Sequence, residues 1–118
     1  MADLTVFHNP RCSTSRHAID AAAQAGTAVE VIQYLKTPLD RGQLLDLIAT
    51  LEDPPADLVR KDAFFTELGL SAADYVTPEQ VAALLVEHPR LMQRPVLVRG
   101  DRAIIGRPKD RVAQFLAG

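Results

Sequence analysis

The stretch LTVFHNPRCSTSRHAIDAAAQAGTAVEVIQYL, residues 4–35, decides the fold. It begins with a β-prone run over Leu4–His8 that an Asn-Pro pair ends. The alanine-rich segment Ser13–Ala25 then predicts a helix, which a glycine closes. A second β-prone run follows over Val29–Leu35. Strand, helix and strand in such close succession predict a βαβ unit, in which the two strands are parallel.

Downstream of this unit the chain first predicts helices and then a hairpin. Leu44, Leu47, Ile48 and Leu51 have the spacing of an amphipathic helix, shorter helical pieces surround Leu58 and Phe64–Leu68, and Thr77–Gln80 has the form of a capping box. The apolar runs Val96–Val98 and Ala103–Ile105 flank a Gly-Asp turn, and Asp110–Leu116 predicts a last helix.

The order βαβ, helical block, ββα is the arrangement of the thioredoxin fold. We therefore expect the α/β class and one domain over residues 1–118. The helical block is expected to be an insertion between the two halves, at about residues 38–90.

Composition excludes several classes of protein. A chain of 118 residues with 47% apolar residues supplies one core. It contains no apolar run long enough to span a membrane, and no basic, apolar leader precedes Leu4, so we expect neither a membrane anchor nor a signal peptide. A net charge of −2 argues against a nucleic-acid partner. A single cysteine precludes an internal disulfide and favours a reducing, cytoplasmic location.

Cys12, that single cysteine, lies just after a strand and at the opening of a helix. Free backbone N–H groups at a helix N-terminus favour an anion, either the thiolate or a bound oxyanion. Its neighbours in RCSTSR (residues 11–16) are polar, which disfavours a deeply buried, inert thiol. We therefore expect Cys12 to be reactive. The chain has ten arginines and three lysines, a bias that favours bidentate binding of oxyanions by planar guanidinium groups. A GC-rich genome would give the same bias.

Spacing tests four kinds of cysteine chemistry. A low-molecular-weight phosphatase loop requires an arginine where Ala18 stands, and a dithiol centre requires a cysteine where Ser15 stands. The sequence Cys-x-x-Ser does fit a one-cysteine centre such as that of monothiol glutaredoxins. A zinc site from His8, Cys12 and His17 lacks a fourth ligand, so we expect no metal. His17 and His88 are interpreted as surface or packing residues.

The run HNPRCSTSR (residues 8–16) resembles the active site of the glutathione/glutaredoxin-dependent arsenate reductases. Three further arginines match that family: Arg60 in LVRK, Arg94 in RPV and Arg107 in GRP. The resemblance covers Leu4 to about Leu116, and because the chain stops at Gly118 it is closest to the shorter, ArsC-like members.

The resemblance implies a set of roles. Cys12 would be the nucleophile, Arg60, Arg94 and Arg107 would line the oxyanion site, and Pro95 would follow a cis peptide bond. His8 would tune Cys12 electrostatically, and the Ser15 hydroxyl would bond its sulfur. Arsenate would be reduced to arsenite through a Cys12–arsenate adduct, which glutathione as co-substrate and glutaredoxin as partner resolve, with no bound cofactor.

Two other functions fit the same fold. One is an Spx-type regulator that binds RNA polymerase, although such regulators carry Cys-x-x-Cys. The other is a glutathione-linked thiol transferase without arsenate specificity, for which Arg94 would be dispensable.

Overall fold

A computed structural model describes residues 3–117. The four strands are β1 (Leu4–His8), β2 (Val29–Gln33), β3 (Val96–Arg99) and β4 (Arg102–Ile105). The five α-helices are α1 (Ser13–Gln24), α2 (Arg41–Thr50), α3 (Ala63–Glu67), α4 (Pro78–Glu87) and α5 (Asp110–Ala117). Three short 3₁₀ turns lie between β2 and β3, at Pro55–Leu58, Ala72–Asp74 and Pro89–Leu91.

The strands form one sheet in the order β2-β1-β3-β4. β1 pairs in parallel with β2 and antiparallel with β3, and β3 pairs antiparallel with β4. The chain thus has the thioredoxin-like α/β fold that the sequence predicts. Because β1 and β3 run in opposite directions side by side, the end of β1 lies at the same edge of the sheet as the start of β3.

The two faces of the sheet carry different halves of the core. Successive residues along each strand alternate between the faces, whereas residues paired across neighbouring strands share a face. The row Val6, Leu97 and Ile104 packs beneath α1 and α5, together with Ala18 and Phe115. The adjacent row faces the helices between β2 and β3 and consists of Phe7, Val96 and Ile105. The insertion of the helical block into a single domain remains a prediction.

Helix boundaries follow local hydrogen-bonding chemistry. The Thr77 side chain accepts from the backbone N–H of Gln80 and the Gln80 side chain accepts in return, which confirms the predicted capping box of α4. Asp40 and Gln43 form the same reciprocal pair at the start of α2.

β2 is shorter than predicted. The backbone N–H groups of Lys36 and Thr37 both donate to the carbonyl of Gln33, and this turn ends the strand there rather than at Leu35. β2 is also an edge strand, which leaves Val31 44% exposed. In the described range 3–117 no helix is long and apolar enough to cross a membrane.

Candidate active site

Cys12 is the N-cap residue of α1 and has an extended backbone. Its own N–H donates to the carbonyl of Asn9 at 3.0 Å, and its carbonyl accepts from the N–H of Arg16 at 3.0 Å. These bonds fix the loop between β1 and α1, so the partly exposed sulfur lies over the first turn of the helix. The first N–H groups of that turn have no partner within the helix and favour a negative charge on the sulfur.

Arg107 reaches the sulfur from the other end of the chain. Its Nη2 donates to Sγ of Cys12 at 3.0 Å. Its Nε donates to the backbone carbonyl of Arg94 at 2.6 Å. One guanidinium thus links the thiol to the loop before β3, and its planar fork is held at two points.

Arg94 lies in the loop just before β3, and the first residue of β3 pairs with Phe7 near the end of β1. The peptide bond between Arg94 and Pro95 is cis, as the resemblance implied, and that between Arg107 and Pro108 is also cis. The two Arg-Pro loops are in close contact, because the N–H of Gly106 donates to the carbonyl of Pro95 at 2.8 Å. A Cβ atom at Gly106 would lie 2.8 Å from Cγ of Pro95, so only glycine allows this approach.

The surroundings of Cys12 lower the pKa of its thiol. Burial alone raises the pKa, because it penalises the thiolate. The backbone N–H of Ser15, the guanidinium of Arg94 and the charge of Arg107 together outweigh that effect. The net result is a thiol that ionises more readily than an ordinary cysteine.

Arg60 lines the same cavity as Arg94. This cavity of about 540 Å³ is lined by Asn9, Arg11, Leu35, Arg60, Asp62, Arg90 and Arg94. Nε of Arg60 lies 3.7 Å from Oδ2 of Asp62, which restrains the arginine. The structure therefore groups Arg94 and Arg107 around the sulfur and places Arg60 farther along the cavity wall.

His8 and Ser15 form a buried polar pair behind the cysteine loop. Nδ1 of His8 lies 2.6 Å from Oγ of Ser15, and the same Oγ accepts from the N–H of Asn9 at 3.0 Å. The Ser15 side chain is fully buried. These contacts hold the loop that carries Cys12.

The role expected for the Ser15 hydroxyl requires correction, whereas electrostatic tuning of Cys12 by His8 stays a prediction. Within residues 3–117 the Ser15 hydroxyl bonds His8 and Asn9 rather than the sulfur, and Ser15 acts on Cys12 through its backbone N–H. Burial, followed by the charge of Arg16, lowers the pKa of His8. The lowered pKa makes a charged imidazole at His8 less favourable than at an ordinary histidine.

The loop carrying Arg107 is anchored by an ion pair that sequence reasoning missed. Nη1 of Arg111 lies 2.8 Å from Oδ1 of Asp53 and also donates to the carbonyl of Ile105 at 2.9 Å. Oδ2 of Asp53 accepts from the N–H of Ile105 at 2.9 Å. Asp53 is far from Arg107 in sequence. The only sequence signal at Asp53 is the Asp-Pro-Pro break that ends α2, and this signal does not predict an ion pair.

Tyr34 is a second residue near the site that the sequence does not single out, since its pattern predicts only a place in a strand. Its hydroxyl is buried and donates to the carbonyl of Met92 at 3.3 Å. Burial raises the pKa of Tyr34, and the neighbouring Arg94 and Asn9 oppose that rise. Tyr34 therefore packs directly behind the arginine loop.

The remaining histidines are a surface residue and a packing residue, as predicted. His17 is exposed on α1, and the ring of His88 packs edge-on against Phe64 at 5.9 Å. Across the part of the chain that the structure describes, no three His, Cys, Asp or Glu side chains are grouped as metal ligands.

Known proteins are similar to this chain over nearly its whole length. The model of the ArsC family matches residues 7–115. An arsenate reductase of Neisseria meningitidis serogroup A is 35% identical over 118 residues, covering 98% of this chain and 100% of that protein. The uncharacterized protein YfgD of Escherichia coli K12 is 36% identical, covering 94% of each chain. The solved structure of an arsenate reductase from Vibrio cholerae superimposes with a TM-score of 0.82 at 30% identity, covering 96% of this chain and 97% of that one.

Proposed function

Since the chain belongs to the ArsC family, we propose that it is an arsenate reductase that converts arsenate to arsenite with Cys12 as its nucleophile. The observation that carries the proposal is the 3.0 Å hydrogen bond from Arg107 to the Cys12 sulfur. A thiolate at a helix N-terminus, held by a guanidinium, is the arrangement that an electrophilic oxyanion requires.

Arginines are needed here for an electrostatic reason. Arsenate near pH 7 is largely a dianion, so a thiolate that approaches it meets like charge. Guanidinium groups offset that repulsion, hold the oxygens and stabilise the charge that develops during attack. Arg94 and Arg107 have this role at the sulfur, and Arg60 completes the oxyanion site from the cavity wall.

The first step is attack by the Cys12 thiolate on arsenic. An S–As bond forms, and one arsenate oxygen leaves as water after taking up protons. The lowered pKa of Cys12 supports this step, because more of the thiol is ionised near pH 7. Arsenic is still As(V) in the resulting adduct.

Two further thiols complete the reduction. The glutathione thiol displaces a second oxygen as water, so that arsenic is held by two sulfurs. A glutaredoxin thiolate then takes the glutathionyl group as a mixed disulfide, and the electron pair of that S–As bond stays on arsenic as As(III). Hydrolysis releases arsenite and restores the Cys12 thiolate. The single cysteine supports a reductant from outside the chain, because no second thiol is present to form an internal disulfide.

A coupled assay tests the proposal. Arsenate, glutathione, glutaredoxin and glutathione reductase are mixed with the protein, and NADPH oxidation is followed. We expect arsenate-dependent turnover in the wild type, none in Cys12→Ser, and a large loss in Arg94→Ala.

Three other results would point elsewhere. Turnover that persists in Cys12→Ser would remove the nucleophile assignment. Activity on a glutathionylated substrate that ignores both arsenate and Arg94→Ala would indicate the thiol transferase. Recovery of RNA polymerase in a pull-down, with no thiol-dependent activity, would indicate the Spx-type regulator.

A further inference from the structure

The cavity lined by Arg94, whose guanidinium contacts the thiol of Cys12, is much larger than a tetrahedral oxyanion. Its volume is about 540 Å³. Four oxygens around one central atom take up the space of roughly four waters, about 120 Å³ at about 30 Å³ each. Cavities of several hundred Å³ are typical of sites for small organic ligands. Arsenate alone therefore leaves most of this space for another molecule.

The charge around the cavity is strongly one-sided. Of the described residues that line it, four are arginines and only Asp62 is acidic. Asp62 is paired with Arg60, whereas Arg11, Arg90 and Arg94 have no carboxylate partner within residues 3–117. In a chain of net charge −2, this concentration of guanidinium groups favours a ligand that carries more than one negative charge.

The unpaired arginines occupy different depths. Nε of Arg94 is buried and has no hydrogen-bond partner within residues 3–117, while the guanidinium of Arg94 also bonds the thiol of Cys12. Arg90 is exposed, and its guanidinium lies 4.1 Å above the ring of Phe64, which holds it flat by a cation–π contact. Arg11 is exposed, and its backbone N–H donates to Oδ1 of Asn9 at 3.0 Å. Of the three arginines in the lining that have no carboxylate partner among the described residues, one is thus partly buried and two are exposed.

We propose that Arg11 and Arg90 bind the carboxylates of the thiol co-substrate, a tripeptide thiol of the glutathione type, in this cavity. The proposal rests on the proposed function, since it locates the reductant of that reaction. Glutathione carries a carboxylate at each end and a thiol near its middle. With its carboxylates on the two exposed arginines, the thiol reaches inward past Arg94 toward the sulfur of Cys12, and the exposed side chain of Leu35 supplies an apolar wall.

Thiol–disulfide exchange tests this subsite without arsenate. The Cys12 thiolate attacks one sulfur of glutathione disulfide, the S–S bond breaks, and one glutathione leaves as a thiolate while the other stays on Cys12 as a mixed disulfide. The probes are glutathione disulfide and the uncharged bis(2-hydroxyethyl) disulfide. The rate of mass gain is measured for both with the wild type, Arg90→Gln, Arg11→Gln and the double variant. Arg41→Gln is the matched control, because Arg41 is an exposed arginine on α2 outside the cavity lining.

The quantity compared is the rate with glutathione disulfide divided by the rate with bis(2-hydroxyethyl) disulfide. Any change in the reactivity of the Cys12 thiolate affects both rates and cancels in this ratio. We expect this ratio to fall about threefold to fivefold for each arginine removed, as for partly exposed ion pairs, and to stay unchanged in Arg41→Gln. The fall should shrink at high salt. An unchanged ratio in the double variant, or an equal fall in Arg41→Gln, would overturn the proposal. Because no arsenate is present, a failure of the arsenate assay leaves this result intact, and the reverse also holds.

Discussion

The guanidinium of Arg107 lies 3.0 Å from the sulfur of Cys12, although 95 positions separate the two residues in sequence. The contact joins the loop before α5 to the loop after β1 across the edge of the sheet. It supplies a positive charge and a donor at the atom whose ionisation the proposed reaction requires. The charge around the Cys12 sulfur therefore depends on the tertiary fold, which brings these two distant loops together.

The Arg107→Ala variant tests that dependence. We expect the pKa of Cys12 to rise, because the charge of Arg107 contributes to lowering it. Arsenate-dependent turnover should fall about 10²-fold or more, the usual cost of losing one donor that stabilises developing charge. The pH profile of Cys12 alkylation by iodoacetamide measures the pKa, and Arg41→Ala is the control. An alkylation profile identical to that of the wild type would show that Arg107 does not act on the thiol.

The second prediction concerns stability in acid. Burial, with the charge of Arg16, holds the pKa of His8 below 6.5, so the unfolded chain binds this proton more readily than the folded protein does. The free energy of unfolding should therefore fall as the pH drops from 6.5 through the lowered pKa. The His8→Asn variant removes this titration and should flatten that part of the curve. Urea denaturation at several pH values between 5 and 7.5 measures it, and parallel curves for the two proteins would contradict the prediction.

The third prediction concerns the Ser15 hydroxyl. The Ser15→Ala variant leaves the buried N–H of Asn9 and Nδ1 of His8 without their partner. We expect a loss of about 1–3 kcal/mol in the free energy of unfolding. Ser13→Ala, at an exposed position of the same helix turn, is the control and should change stability little. Urea denaturation distinguishes them, and equal stability of the two variants would mean that the hydroxyl does not hold the cysteine loop.

The fourth prediction concerns the ion pair below Arg107. The Asp53→Asn variant weakens the contacts with Arg111 and Ile105 that anchor the loop. We expect a loss of about 1–3 kcal/mol in stability and, because Arg107 is less firmly placed, a rise in the pKa of Cys12. Glu52→Gln, which alters the neighbouring exposed pair with Arg102, is the control and should leave the alkylation profile unchanged. A destabilised Asp53→Asn protein with an unaltered alkylation profile would separate the ion pair from the site.

Local patterns predicted most of the fold because the fold rests on local chemistry. The capping residue Thr77, the β-prone run Leu4–His8 and the hairpin turn after β3 each specify their own conformation through nearby atoms. The end of β2 was missed because the turn at Gln33 depends on two backbone hydrogen bonds that no side-chain pattern marks.

The site was predictable in part for a similar reason. Cys12 is marked by its place between a strand and a helix, and the arginines are marked by family resemblance. The Arg111–Asp53 pair and the packing of Tyr34 behind Arg94 are contacts between distant segments, so only the folded chain displays them. The sequence places His8 beside the cysteine loop, but the lowering of its pKa follows chiefly from burial, which the sequence does not reveal.

β1 pairs with β3, a strand from the last quarter of the chain, so Cys12 is synthesised well before the arginines that contact it. A nascent chain that has been extended only through the helices after β2 already carries its sulfur, yet neither Arg94 nor Arg107 has been made. Its cysteine lacks both guanidinium groups and behaves more like an ordinary thiol. The sulfur gains the part of its lowered pKa that Arg94 and Arg107 supply only when translation is nearly complete.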